Sequence, residues 1–103
     1  MILHIAQFTW KPEVTPADVE AATAALNDMA AQIPEIRSYR AAPNLRLRPS
    51  TADFAVAAIV DDADALATYL DHPLHQAVYE AHLGRMVEQR SAAQLPIESG
   101  SFA

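Results

Sequence analysis

A proline set between aromatic and imidazole side chains constrains this chain more than any other feature. It stands in Thr68-Tyr69-Leu70-Asp71-His72-Pro73-Leu74-His75, a stretch holding two of the four histidines and one of the three tyrosines. Proline lacks an N–H and clashes with the preceding turn, so a helix arriving through Leu70 cannot continue past Pro73. The same ring suits the first position of a new helix. The stretch therefore predicts a short helix ending near Tyr69 or Leu70, a turn at Asp71-His72, and a second helix from Pro73. Such a corner aims a phenol and two imidazoles at one neighbourhood.

The rest of the chain frames that corner. Ile2 to Trp10 reads as a first strand, with His4, Ala6, Phe8 and Trp10 on one side and Leu3, Ile5, Gln7 and Thr9 on the other. Both sides are mostly apolar, which is the pattern of a strand covered on both faces. Thr15 is a good N-cap, Pro16 occupies the first helical position, and Asp18 completes a near capping box. Val19, Ala22, Leu26, Met29 and Ile33 then recur at helical spacing, and Pro34 stops the helix. Ile36 to about Ala42 forms a second strand, with Arg37, Tyr39 and Ala41 on one side. A basic, proline-limited connection from Pro43 to Ser50 is expected to be mobile. Asp53 to Val60 is a third strand, and Asp61-Asp62 can cap the short helix after it.

From Pro73 a last helix is expected to run to about Gln89 or Arg90. In it His75, Tyr79, His82 and Met86 share one face. Gly84 inside this helix costs about 1 kcal/mol relative to Ala. Ala92, Ala93, Leu95 and Ile97 suggest a final strand that Pro96 confines to an edge. Residues 98–103 are expected to fray. The β-α-β-β-α-β order is the ferredoxin-like plan: α+β, with a four-stranded antiparallel sheet and helices on one face. Residues 1–103 are expected to form one domain. The apolar second side of the sheet is then expected to meet a second copy of the chain, giving a homodimer through sheet faces.

Composition narrows the function classes. The net charge is −6 with only seven Lys and Arg, so there is no basic footprint for nucleic acid or an anionic membrane. No apolar run is long enough to span a bilayer, and Met1-Ile2-Leu3-His4 lacks the charged start of a signal peptide. A cytoplasmic protein is expected. The absence of cysteine removes disulfides, thiolate metal sites and Cys nucleophiles. Two glycines alone, Gly84 and Gly100, leave no Gly-rich phosphate loop. No cofactor is implied. The face bearing His75, Tyr79 and His82 lacks the His pair four residues apart and the carboxylate of a zinc helix, so no metal is expected.

Several segments together resemble a known family. They are Met1-Ile2-Leu3-His4-Ile5 with Phe8 and Lys11-Pro12, then Ile33-Pro34-Glu35-Ile36-Arg37-Ser38, Asn44-Leu45, Asp53-Phe54-Ala55-Val56, and Leu66 to His75. The chain resembles the stress-responsive A/B barrel (Dabb) domains, a group that includes olivetolic acid cyclase-type dimeric α+β barrel proteins. The resemblance implies a sheet-to-sheet homodimer and a pocket between sheet and helices in each subunit. It implies a small apolar or polyketide-like ligand. In cyclase-like members a linear polyketide is closed by an intramolecular aldol condensation without cofactor, and the matching catalytic positions are Tyr69 and His75. The pocket residues implied are His4, Ala6, Phe8, Leu26, Val56 and Met86. The first-helix side, with Ala22, Leu26 and Met29, lacks the aromatics of the plant cyclase, which implies a different ligand shape.

Two functions stay open on the sequence. One is a small-molecule-binding domain of stress-response type, in which His75 caps a helix and Tyr69 fills the core. The other is a polyketide cyclase-like enzyme with His75 as base and Tyr69 as donor to the forming alkoxide. In both, His72 is expected to cap the helix begun by Pro73.

Overall fold

The computed structural model of the chain describes residues 1–102. Strand β1 spans Ile2–Trp10, helix α1 Pro16–Ala31, β2 Ser38–Pro43, β3 Phe54–Val60, helix α2 Ala63–Leu70 and helix α3 Pro73–Val78. A π-helical turn, Tyr79–Leu83, and a last α turn, Gly84–Met86, lead into β4, Val87–Pro96. The sheet order is β2-β3-β1-β4, and every neighbouring pair is antiparallel. This is the ferredoxin-like α+β arrangement that the element order predicts.

Local chemistry explains the elements that the sequence placed well. The Thr15 side chain accepts from the Asp18 N–H at 3.2 Å, and the Asp18 carboxylate accepts from the Thr15 N–H at 3.0 Å, a full capping box with Pro16 at the first helical position. Asp62 caps α2 by accepting from the Ala65 N–H at 2.8 Å. The connection expected to be mobile is tied at several points. Asn44 donates to the Ala52 carbonyl at 2.8 Å, Arg46 pairs with Asp53, and the Asp53 carboxylate accepts from the Trp10 N–H at 2.7 Å.

Register stacks the inner face of the sheet in rows. Tyr39, Ala58, His4 and Gln94 form one row, Ala41, Val56, Ala6 and Ala92 the next, and Pro43, Phe54, Phe8 and Arg90 a third. Rows two residues apart along a strand are about 7 Å apart. Helices cover this face. Ala22, Leu26 and Met29 from α1, Tyr69 from α2 and Leu83 and Met86 from the last turns join it in one buried core.

The opposite face carries Leu3, Ile5, Ala55 and Ala57, all only half-buried. Ile59 on the same face is 2 % exposed. The tail crosses there: Ser38, paired with Ile59, donates from its hydroxyl to the Gly100 carbonyl at 2.9 Å. The Ile97 N–H also binds the Met1 carbonyl at 3.0 Å, and Phe102 borders a shallow cleft with Leu3, Ile5 and Ala57. The tail expected to fray thus has no regular structure over 97–102 but is hydrogen-bonded at both Ile97 and Gly100; Ala103 lies outside the described residues.

The last helix departs most from expectation. It ends at Met86, not at Gln89 or Arg90, because Val87 is already extended at ψ 122° and opens β4. Pairing along β1 overrides the helical propensity of Glu88, Gln89 and Arg90, whose ladder runs from Trp10 opposite Val87 to Ile2 opposite Pro96. Within the helix the Gly84 N–H bonds to the Tyr79 carbonyl, five residues back. That π spacing also explains Gly84. A Cβ there would meet the Tyr79 carbonyl oxygen at 3.1 Å and the Tyr79 ring at 3.4 Å.

Candidate functional site

A partly open cavity of about 200 Å³ lies over the alanine row, between the His4 row and the Phe8 row. Small residues make the space: Ala6 and Ala92 contribute floor without filling it. His4, Phe8, Leu26, Tyr39, Val56, Tyr69, His75, Tyr79, Leu83 and Arg90 complete most of the wall. Of the residues that the sequence assigned to the pocket, His4, Ala6, Phe8, Leu26, Val56, Tyr69 and His75 all meet here. Met86 does not; it is fully buried in the core. His82 is displaced as well and faces a groove between α1 and α3, where its Nδ1 is buried without a partner. The π turn is the reason. Its wider spacing carries the cavity face through His75, Tyr79 and Leu83, four residues apart, in place of His82 and Met86.

The Pro73 corner works as its chemistry requires. α2 ends at Leu70, and His72 caps the new helix by accepting from the Leu74 N–H at its Nδ1, 3.1 Å away. His72 is thereby committed to the backbone, and His75 is left to face the cavity. The Tyr69 ring sits at the centre of the site. It meets His75 edge-on at 5.3 Å between centroids, His4 at 6.1 Å and Tyr39 at 6.3 Å. On the sheet side, Gln94 lies 3.0 Å from His4 Nδ1, in the same transverse row. When that amide donates, His4 is neutral with its proton on Nε2.

Electrostatics keep these groups uncharged near neutral pH. Burial lowers the His4 pKa below its ordinary 6.5, and the positive charges of His75 and Arg90 add to the effect. Burial also lowers His75, with Arg90 pushing the same way and the Leu70 carbonyl and Asp71 opposing. The Tyr69 phenol is pushed up to about 12, chiefly by burial. Burial raises Tyr39 further, and its neighbour Tyr69 adds to the rise. Tyr39 OH is buried beside the Tyr69 phenol and makes no close hydrogen bond. The cavity therefore offers neutral imidazoles that can accept a proton and phenols that can donate a hydrogen bond. Among the described residues no cluster of three or more His, Asp or Glu is placed to hold a metal ion.

The sequence did not single out Tyr39, Tyr79, Leu83, Arg90 or Ala92 for the pocket. Tyr39 had a usable signal: it sat on one side of its strand with Ala41, and the Ala41 row is the cavity floor. Arg90 and Ala92 had none, since their place depends on where β4 begins.

A four-stranded antiparallel sheet with helices on one face, and a cavity between them, defines a ferredoxin-like α+β protein. The chain belongs to the Dabb family, the stress responsive A/B barrel domain, which it matches over residues 2–96. It is 40% identical over 79 residues to the uncharacterized protein SCO4036 of Streptomyces coelicolor, covering 75% of this chain and 81% of that one. It is likewise similar to a dimeric ferredoxin-like protein of unknown function from Thermobifida fusca, whose crystal structure superposes with a TM-score of 0.85 at 40% identity, covering 93% of this chain and 90% of that one. A Dabb family protein from Mesorhizobium loti shares the fold at 18% identity, with a TM-score of 0.77 over 94% of this chain and 97% of that one. No helix among the described residues is long and apolar enough to cross a membrane.

Proposed function

We propose that this chain is a homodimeric small-molecule-binding domain whose ligand occupies the cavity between sheet and helices. The observation that carries the proposal is the cavity itself: space kept open by Ala6 and Ala92, with hydrogen-bonding rings of His4, Tyr39, Tyr69 and His75 converging on it. Apolar walls with a few convergent polar groups are the usual character of a ligand site. The dimer is supported by the half-buried apolar residues of the outer face and by the dimeric Thermobifida fusca relative. Sedimentation equilibrium at micromolar concentration should give twice the 11.2 kDa chain mass. Ile5→Glu should return the chain mass, because it places a carboxylate in the middle of that face. A wild-type chain sedimenting as a monomer would contradict the dimer.

Tyr69 and His75 favour a second reading, a cofactor-independent cyclase-like enzyme. A neutral imidazole stands 5.3 Å, ring to ring, from a phenol that stays protonated, both on the cavity wall. In an intramolecular aldol closure His75 takes a carbon-bound proton, and the carbanion attacks a carbonyl of the same poly-carbonyl molecule. The new C–C bond leaves an alkoxide, which Tyr69 O–H stabilises and protonates. The imidazolium then returns its proton to the phenolate, so the reaction is a net isomerisation. With a poly-β-carbonyl substrate, Tyr69→Phe and His75→Ala should each lower turnover by roughly 10²-fold or more. Unchanged turnover in both variants would remove the enzymatic reading and leave the binding one standing.

A further inference from the structure

Arg90 is the only charged side chain among the residues bordering the cavity, and no carboxylate lies on the wall. Three other arginines have acidic partners: Arg37 with Asp61, Arg46 with Asp53 and Arg85 with Asp18. Arg90 has no ion pair and no side-chain hydrogen bond among the described residues. Among those residues Arg40 and Arg48 likewise have no carboxylate partner, but neither borders this cavity. The position of Arg90 is set by register. Arg90 lies opposite Phe8 on the inner face of β4, one row from the alanine floor. From the Phe8 row, two rows from His4, its charge still reaches His4 and His75 across the cavity.

A second, independent observation points the same way. Tyr39 OH is buried beside the Tyr69 phenol, lines the same cavity and makes no close hydrogen bond. Tyr39, on the His4 row at the β2 edge, and Arg90, on the Phe8 row at the β4 edge, line the cavity from opposite corners. A guanidinium and a phenolic O–H are both donors, and neither His4 nor His75 adds a competing negative charge. The ligand group that satisfies such a pair is an acceptor with a full negative charge, and the planar fork of Arg matches a carboxylate.

We propose that the cavity takes a small carboxylate, an acid with a compact apolar body, whose carboxylate is held by Arg90 with Tyr39 O–H as a second donor. The inference rests on the cavity being a ligand site and adds the class of ligand. Tyr69 and His75 then face the body of the bound molecule, the end at which any proton transfer would take place.

Calorimetric titration with three probes of one shape tests it: 3-phenylpropionate, its neutral amide 3-phenylpropionamide, and the cation 3-phenylpropylamine. The expected order is carboxylate tighter than amide by about 10-fold or more, with the amine not bound. Arg90→Gln should bring the carboxylate down to the level of the amide and leave the amide unchanged. Arg90→Lys, which keeps the charge but loses the fork, should fall between. Tyr39→Phe should weaken the carboxylate by roughly 3- to 10-fold. Thermal unfolding of each variant separates lost binding from lost folding. Equal affinity for carboxylate and amide overturns the inference while supporting a ligand cavity, and so does a preference that survives Arg90→Gln. Failure of all three probes to bind at millimolar concentration overturns both.

Discussion

Two ring clusters share the inner face of this sheet, and they do opposite things. At one end Phe8, Trp10 and Phe54 pack on one another. Phe8 stacks on Trp10 at 5.9 Å, Trp10 meets Phe54 at 5.3 Å, and Phe54 is fully buried. At the other end Tyr39, Tyr69, His4 and His75 stand at similar separations, 5.3 to 6.3 Å, yet enclose open volume. The distances alone do not separate the clusters. Edge-on geometry, a floor of alanines and polar ring atoms do. A hydrophobic cluster gains from closing every gap. A cluster of phenols and imidazoles has polar atoms that need partners, and closing on itself would leave them unsatisfied.

That contrast can be broken by substitution. Phe54→Ala should have the largest effect, about 3–5 kcal/mol lost in chemical denaturation, because the packed cluster cannot collapse around the gap. A loss near zero would mean that this end is not close-packed. Acid should act on the open cluster instead. His4 and His75 have folded pKa values below their ordinary 6.5, so between those values the unfolded chain binds more protons than the folded one. Stability should therefore be full above pH 6.5 and fall as the pH drops through the window below it. Asp18 and Asp61, held below 3.8 by their partners, add their losses only at lower pH. Urea midpoints that stay flat below pH 6.5 would contradict the burial of neutral imidazoles. Replacing both histidines with Gln should flatten the curve in that window alone.

Smaller effects sharpen the comparison. Ala6→Leu grows into the cavity and should change stability by no more than about 1 kcal/mol, where a packed core would lose more to overpacking. It should also abolish binding of any cavity ligand. Tyr39→Phe removes a buried hydroxyl that makes no close hydrogen bond, so unfolding free energy should stay level or rise by up to about 1 kcal/mol. A clear loss would show that the hydroxyl has a partner in the folded protein. The two variants thus separate space from hydrogen bonding at one site.

The packed end was easier to foresee than the open one. Phe8, Trp10 and Phe54 belong to strands whose alternation and boundary residues mark them locally, and α1 announces itself through Thr15, Pro16 and Asp18. The Tyr69-to-His75 corner was legible for the same reason, since Pro73 imposes the break whatever surrounds it. What escaped depends on distant partners. Val87 to Arg90 reads as helix in isolation and becomes strand only because β1 offers an unpaired edge. With that boundary misplaced, Arg90 and Ala92 had no face to be assigned to. The π turn was equally hidden, and with it the exchange of His82 and Met86 for Leu83 on the cavity wall.

The turn at Tyr79–Leu83 has a consequence for how such a pocket changes over time. Each residue of an α-helix turns the chain by about 100°. Deleting one residue between Tyr79 and Leu83 would restore ordinary α spacing and swing a different set of side chains into the cavity, leaving the sheet untouched. The wall of this pocket can therefore be retuned by chain length alone. A lineage could trade ligands through a single codon gained or lost, without first rebuilding the floor.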